Sequence, residues 1–254
     1  MSQLLRPALA LMNRLRYPQK FLLISLLFIL PLALVMVLLI AEVNTKADFA
    51  QKEKYGSEYL RLVRRLLEDA LREQATAHAY MNGDAALALE FTSSQAQVDL
   101  DLVELDSIDS RLGASLRTTE SFNALNAFWH ELKNRLPASN PRMGDDLHVT
   151  LIANIRGLIA RVGDTSNLIL DPDLDSYYTM DAVLLKLPEN QELLARTRML
   201  GERIIVQQAF IADDRAQLTI LSGLLRANIS AITQGMAVAF ANNPAGKCAF
   251  DGGC

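Results

Sequence analysis

The run "FLLISLLFILPLALVMVLLIA", Phe21–Ala41, carries no charged residue, and it constrains this chain more than any other feature. An apolar stretch of about 20 residues is long enough to cross the hydrocarbon core of a bilayer as a helix. Backbone groups in lipid must find their partners inside the segment, so a helix is the form such a run takes. A cleavable signal peptide has a shorter apolar region, about 7–15 residues, followed by a small-residue cleavage site. Neither is present here, so residues 21–41 are expected to be an uncleaved, single-pass anchor. Pro31 removes one backbone donor from that helix and predicts a kink.

Orientation follows from the flanks. Arg6, Arg14, Arg16 and Lys20 precede the span, and no acid occurs among the first twenty positions. Basic residues stay on the cytoplasmic side, so residues 1–20 are expected to be a cytoplasmic tail, although Lys46, Lys52 and Lys54 soon after the span weaken the contrast. The main part, 42–243, then lies on the periplasmic side of an inner membrane. The chain's net charge is −4, and without its basic N-terminus the outer part is more acidic still. That excludes nucleic acid as an expected partner.

The outer part reads as helix throughout. Tyr59, Val63, Leu66, Ala70, Ala77 and Tyr80 recur at helical spacing, interrupted by Glu73. "MNGD" stops this helix: Asn82–Gly83 suits a left-handed C-terminal cap, and Asp84 can cap the next element. Val98, Leu102, Leu105, Leu112 and Leu116 form a second stripe. Phe122, Leu125, Trp129, Leu132 and Leu136 form a third after a break near "RTTES". "LPASNPRMGDD" reads as a loop, after which Leu147, Leu151, Ile155, Leu158 and Val162 make a helix that Asp145 or Asp146 could cap. Further helices carry Val183, Leu184 and Leu187, with a kink or restart at Pro188, and Leu218, Leu221, Leu225, Ile232 and Met236. No strand pattern is visible. The expected fold class is all-α: one N-terminal transmembrane helix followed by an antiparallel helical bundle, with residues 244–254 a disordered tail. Cys248 and Cys254 fall in that tail, where an oxidising compartment would permit a disulfide but no packing requires one.

The densest polar stretch is "SNLILDPDLDSYYTMD", Ser166–Asp181. Asp171, Asp173 and Asp175 match the first, third and fifth places of a calcium loop, but Ser176 stands where glycine is needed and Ala182 where the bidentate glutamate belongs. No metal is expected. Asp171 before Pro172 is a strong helix start, with Asp173 and Asp175 favourable at the positive dipole end. That leaves Asn167, Tyr177, Tyr178 and Asp181 crowded at the same junction. Tyr177 and Asp181, four apart, share a helix face, and carboxylates beside tyrosine rings can hold a cationic or amine-bearing ligand by charge and cation–π attraction. The candidate ligand-binding set is therefore Asn167, Asp171, Asp173, Asp175, Tyr177, Tyr178 and Asp181. No nucleophile–base pattern or phosphate loop occurs, so no enzyme activity and no cofactor are expected. His78, His130 and His148 lack metal-ligand spacing and read as surface or bundle histidines. Trp129 reads as core, and "RLVRRLL", Arg61–Leu67, as a solvated helix face.

Two stretches, "RYPQKFLLISLLFILPLAL" and "VGDTSNLILDPDLDSYYTMD" with the "LPE" that follows, resemble the N-terminal sensor region of bacterial methyl-accepting chemotaxis proteins. The resemblance extends over roughly residues 12–243, as helical pattern alone between those segments. It implies a helical periplasmic ligand-binding domain, a homodimer and signal relay through a second membrane helix to a cytoplasmic coiled coil. The sequence shows no second span, HAMP linker, methylation helices or kinase-contacting tip, so the resemblance covers the input half only. The function expected on this basis is a membrane-anchored sensor module for chemotaxis-type signal transduction, binding a small molecule and lacking its own output domain. The alternative is an anchored structural bundle that dimerises or binds a partner protein without a small-molecule ligand.

Overall fold

The computed structural model describes residues 16–169 and 174–244. Residues 1–15, Asp171, Pro172, Asp173 and the tail with Cys248 and Cys254 lie outside the described set, and with them the expected Asp171 cap and the tail disulfide. Every secondary-structure element among the described residues is helical, and none of these residues forms a strand. The chain divides into two units, Met1–Ala50 and Gln51–Cys254.

Helix α1, Tyr17–Met81, contributes to both units. Its N-terminal part is, by length and composition, the one stretch among the described residues able to cross a membrane. Side chains there, from Phe21 to Ile40, are largely exposed, as an apolar helix is when lipid is its solvent. The helix continues through Pro31.

In the second unit α1 is followed by a 3₁₀ turn, Ala85–Leu87, then α2, Ala88–Leu116, and α3, Thr119–Arg135. The expected stop after Met81 is made by Gly83 at φ +104°, and Asp84 accepts from the Ala86 N–H. The break near "RTTES" is real: Arg117 adopts a left-handed φ of 52°, and Thr118 sits before the first turn of α3. The sequence suggests a long loop next, but the structure keeps it short. A 3₁₀ turn, Leu136–Ala138, leads straight into α4, Pro141–Thr165. Asn140 caps α4 by accepting from the Met143 N–H, in place of the Asp145 or Asp146 cap expected. Proline at the first helical position loses no bond, so helix begins where the prolines had suggested loop.

The apolar stripes meet in one core. Tyr59, Val63 and Leu66 of α1, Leu105 and Leu116 of α2, Trp129 and Leu132 of α3, and Ile155 and Ile159 of α4 are all essentially inaccessible. Cross-helix contacts pair rising numbers on α1 with falling ones on α2: Tyr59 with Asp109, Arg65 with Asp101, Thr76 with Ser94. The same holds between α1 and α4, where Gly56 lies against Ser166 and His78 against Asp145.

After α4 come α5, Leu174–Met180, a π-helical turn, Asp181–Lys186, α6, Leu187–Gln207, and α7, Ala212–Asn242. The restart expected at Pro188 takes the form of that π turn, in which the Leu187 N–H reaches back to the Ala182 carbonyl, and Pro188 then occupies the first turn of α6. A single π turn absorbs one extra residue without ending the helix. Helices α6 and α7 share a separate small cluster of Leu193, Leu200 and Leu221.

Candidate functional site

At the junction expected to bind ligand, α4 ends at Thr165 and the chain turns through Asn167 at a left-handed φ of 66°, a conformation asparagine tolerates better than most residues. The turn drives Ser166 and Leu168 into the core. A Cβ on Gly56 would lie 2.3 Å from Ser166 and 3.0 Å from Leu168, so only glycine at 56 lets the turn seat there. Gly163 plays the same part for Ile169 and Leu184.

Two of the remaining described candidates, Asp175 and Tyr178, meet the end of α7. Asp175 accepts from the Asn243 Nδ2 at 2.7 Å, and that bond holds its carboxyl below the usual range. The Tyr178 ring lies on Gly235 and meets the Tyr177 ring edge-on at 5.3 Å between centroids. Tyr177 is exposed, and Asp181 opens the π turn half-buried. The structure thus brings Tyr177 and Tyr178 together and sets Asp175 and Tyr178 against the end of α7, with Asn167 in the turn after α4 and Asp181 in the π turn, while Asp171 and Asp173 fall outside the described residues. None of the three principal cavities among the described residues is lined by any of them.

The largest of these three cavities lies at the Met81 end of α1. It is an open groove of about 710 Å³ walled by the last turns of α1, the 3₁₀ turn after it, the first turn of α2, the start of α4 and the end of α6. Its polar lining is charged. Arg198 pairs with Glu202 at 2.7 Å, and Arg203 pairs with Asp214 of α7. Arg142, Asp84 and Glu90 line the groove with no ion-pair partner among the described residues. Among the described residues these three charges stand outside any ion pair, Asp84 serving as the cap of the 3₁₀ turn. Among the described residues no three His, Cys, Asp or Glu side chains gather as a metal site would require.

The seam between α1 and α4 forms the floor of this end. His78 lines the groove, and its Nδ1 lies 2.9 and 3.1 Å from the two Asp145 oxygens. One turn deeper, His148 Nε2 lies 2.6 Å from Glu73 Oε2, with the two side chains 1% and 0% exposed. His148 Nδ1 faces the Gly144 carbonyl at 2.7 Å. The Asp145 hydrogen bond holds the His78 imidazole above its ordinary value against burial, with the Asp145 charge adding to it. Burial alone would push His148 down. The attraction and hydrogen bond of Glu73, aided by the Gly144 carbonyl, outweigh it and leave His148 raised.

A second acid cluster lies midway along α1 and α2. Arg65 donates to Asp101 at 2.9 Å and also binds Glu104, while Arg61, Arg64 and Arg65 are all exposed, as a solvated helix face requires. Asp101 is pushed up to about 6, first by burial and then by the Asp69 carboxyl beside it. Its buried Oδ2 has no donor while ionised, and a proton shared with Asp69 would satisfy it.

Sequence reasoning missed the groove because its charges come from four separate segments with no local spacing. The signals available were Glu73 inside an apolar stripe and the pair Asp145, His148 at helical spacing. No protein-family model matches the chain, and neither the curated proteins nor the solved structures contain a significant match to it.

Proposed function

We propose that this chain is the membrane-anchored input module of a chemoreceptor-like signal transducer. In this reading residues 21–41 span the inner membrane, the helices of the outer part form an antiparallel bundle on the periplasmic side, and a small molecule binds in the groove at the Met81 end. The observation that carries it is the groove itself: about 710 Å³ of space on whose wall Arg142, Asp84 and Glu90 stand without ion-pair partners among the described residues. Space of that size suits a small ligand, and the free charges suit one that carries both signs or an anion beside a donor. The 166–181 junction enters as the joint that ties α5 and α7 to the four-helix core rather than as the pocket.

Thermal-shift screening of the full chain in nanodiscs against amines, amino acids and organic acids tests this. A ligand at one hundred times its Kd stabilises by about 2.7 kcal/mol, which is roughly 5–11 °C for a domain of this size. Arg142→Ala or Glu90→Gln should abolish the shift, and Asp175→Asn or Tyr177→Phe should leave it. The reverse pattern would return the site to the junction, and a flat screen would count against a small-molecule sensor. The second reading, a structural bundle that binds a partner protein or a second copy, is favoured by one feature. Ile205, Val206, Phe210 and Ile211 at the α6–α7 connection are all more than half exposed, and contiguous apolar exposure marks contact surfaces.

A further inference from the structure

We propose that the α1–α4 seam is a proton-operated joint, in which two histidine–carboxylate pairs hold the helices together at the Met81 end while protonated and release them as the pH rises. This goes beyond the ligand reading and does not depend on it.

The argument begins with His148. Its Nδ1 faces the Gly144 carbonyl at 2.7 Å, and a carbonyl only accepts, so Nδ1 carries a hydrogen. The 2.6 Å contact between Nε2 and Glu73 Oε2 then needs one more proton, on either the imidazole or the carboxyl. Removing it sets a nitrogen lone pair against a carboxylate in a site 0–1% exposed. The other Glu73 oxygen has only a long 3.4 Å contact with Gln95 of α2. A buried carboxylate without its counter-charge is costly, so deprotonation and closure of the seam oppose each other.

The His78 pair acts in the same direction from the groove side. Its Nδ1 meets Asp145 on α4, and its Nε2 lies 3.4 Å from the Asn82 Nδ2, an amide donor, so the neutral ring keeps the Nδ1–H bond to Asp145 and deprotonation weakens this pair by loss of charge rather than breaking it. The groups acting on His78 come from two helices: Asp145 of α4, and Glu202 with Arg203 of α6. Those acting on His148 are Glu73 of α1 and Asp145 of α4. Acids outnumber the single arginine, so both imidazoles keep their protons above the ordinary histidine value of about 6.5.

The sign follows. A raised value in the closed state means that closure is fully supported below about pH 6.5 and loses support as the pH climbs through the raised value. In that window the opening equilibrium grows roughly tenfold per pH unit for each pair that opens. Because His78 and Asp145 line the groove, release of the seam also loosens its wall.

Two measurements on the full chain in nanodiscs decide this. Nitrogen NMR of the imidazoles, with His130 as the solvent-exposed reference on α3, should show His148 protonated on both nitrogens at pH 6 and titrating above 6.5. Amide-exchange protection over residues 143–152, corrected for the intrinsic rate, should fall roughly tenfold or more per pH unit above 6.5. Glu73→Gln should flatten that fall, because a neutral amide can pair with either histidine form. A His148 that titrates at or below 6.5 overturns the proposal, as does protection in α4 that is independent of pH or equally pH-dependent in Glu73→Gln. The NMR arm needs no variant, so a misfolded mutant leaves the test standing.

Discussion

Gly56→Ala should destabilise the protein although it adds only one methyl group. The new Cβ would lie 2.3 Å from both Cβ and Oγ of Ser166 and 3.0 Å from Leu168 Cδ1. Atoms in van der Waals contact sit near 3.5–4.0 Å, so something must move by more than an ångström. Ser166 cannot simply rotate away: it is fully buried, its Cβ is itself one of the clashing atoms, and its turn is fixed by Asn167 at positive φ. Overpacking of this kind costs about 1–3 kcal/mol, which lowers Tm by roughly 2–12 °C in a domain of this size. Gly157→Ala supplies the control. It makes the same chemical change inside α4, where nothing lies within 4 Å of the added Cβ, and alanine in a helix interior gains about 0.5–1 kcal/mol over glycine. The two substitutions should therefore move Tm in opposite directions. Ser166→Gly in the Gly56→Ala background removes both clashing atoms and should restore most of the loss. Thermal unfolding followed by circular dichroism at fixed pH reads all three. A Gly56→Ala protein as stable as Gly157→Ala would show that the turn after α4 does not seat on α1 as described.

Three further outcomes are expected. Tyr59→Phe should cost about 1.5–3 kcal/mol in unfolding free energy, because Asp109 Oδ1 accepts from Tyr59 at 2.8 Å and from Thr118 at 2.6 Å, all buried, and loss of one donor leaves that carboxylate short of a partner. Asp101, pushed up to about 6, favours the fold while protonated; its contribution is present below about pH 4 and lost as the pH rises through 6, so Asp101→Asn should flatten that part of the stability–pH curve, and an unchanged slope would count against the shared proton. For the anchor, a reporter enzyme active only in the cytoplasm and fused after Asn243 should be silent if residues 1–20 stay inside, and activity there would reverse the orientation.

The helices were legible because each carries its own period. Tyr59–Val63–Leu66–Ala70 and Phe122–Leu125–Trp129–Leu132 name their buried faces without any knowledge of the partner helix. Local chemistry also told the stop at Gly83 and the break before Thr119, since cap and turn residues act within a few positions. The start of α4 was misplaced because Pro141 was read as a breaker rather than as the first residue of a helix capped by Asn140. What the sequence could not supply was register. Glu73 looked like a fault in its stripe, yet it is wholly buried against His148, 75 residues away. The two histidines dismissed for lacking metal-ligand spacing meet acids on the facing helix, and only the pairing of α1 with α4 reveals this. The polar junction at 166–181 was visible as a cluster, but its role depended on Gly56, Gly163 and Gly235, each a missing side chain that makes room.

These contacts connect the groove to the junction through one element pair. Arg198 and Glu202 of α6 wall the groove, and Arg203 binds Asp214 at the start of α7. The far end of α7 is held by α5, through Asp175 with Asn243 and Tyr178 on Gly235. Between these ends α6 and α7 bury only a small leucine cluster. Their remaining buried positions include Asn190 Oδ1 and Asn228 Nδ2, neither of which has a hydrogen-bond partner among the described residues. One side-chain tether to the four-helix core, Arg156 with Glu192 at 2.5 Å, lies along α6. A segment with few buried apolar contacts and unsatisfied polar atoms opens at lower free energy than the core it rests on. The groove therefore has a stiff wall on α1 and α4 and a yielding one on α6. Helix α6 is joined to α7 by the chain and by the Arg203–Asp214 pair, and at its other end it continues directly from the π turn, Asp181–Lys186. The aspartate–tyrosine junction lines none of the three cavities among the described residues; its Asp175 and Tyr178 are engaged instead by Asn243 and Gly235 at the end of α7.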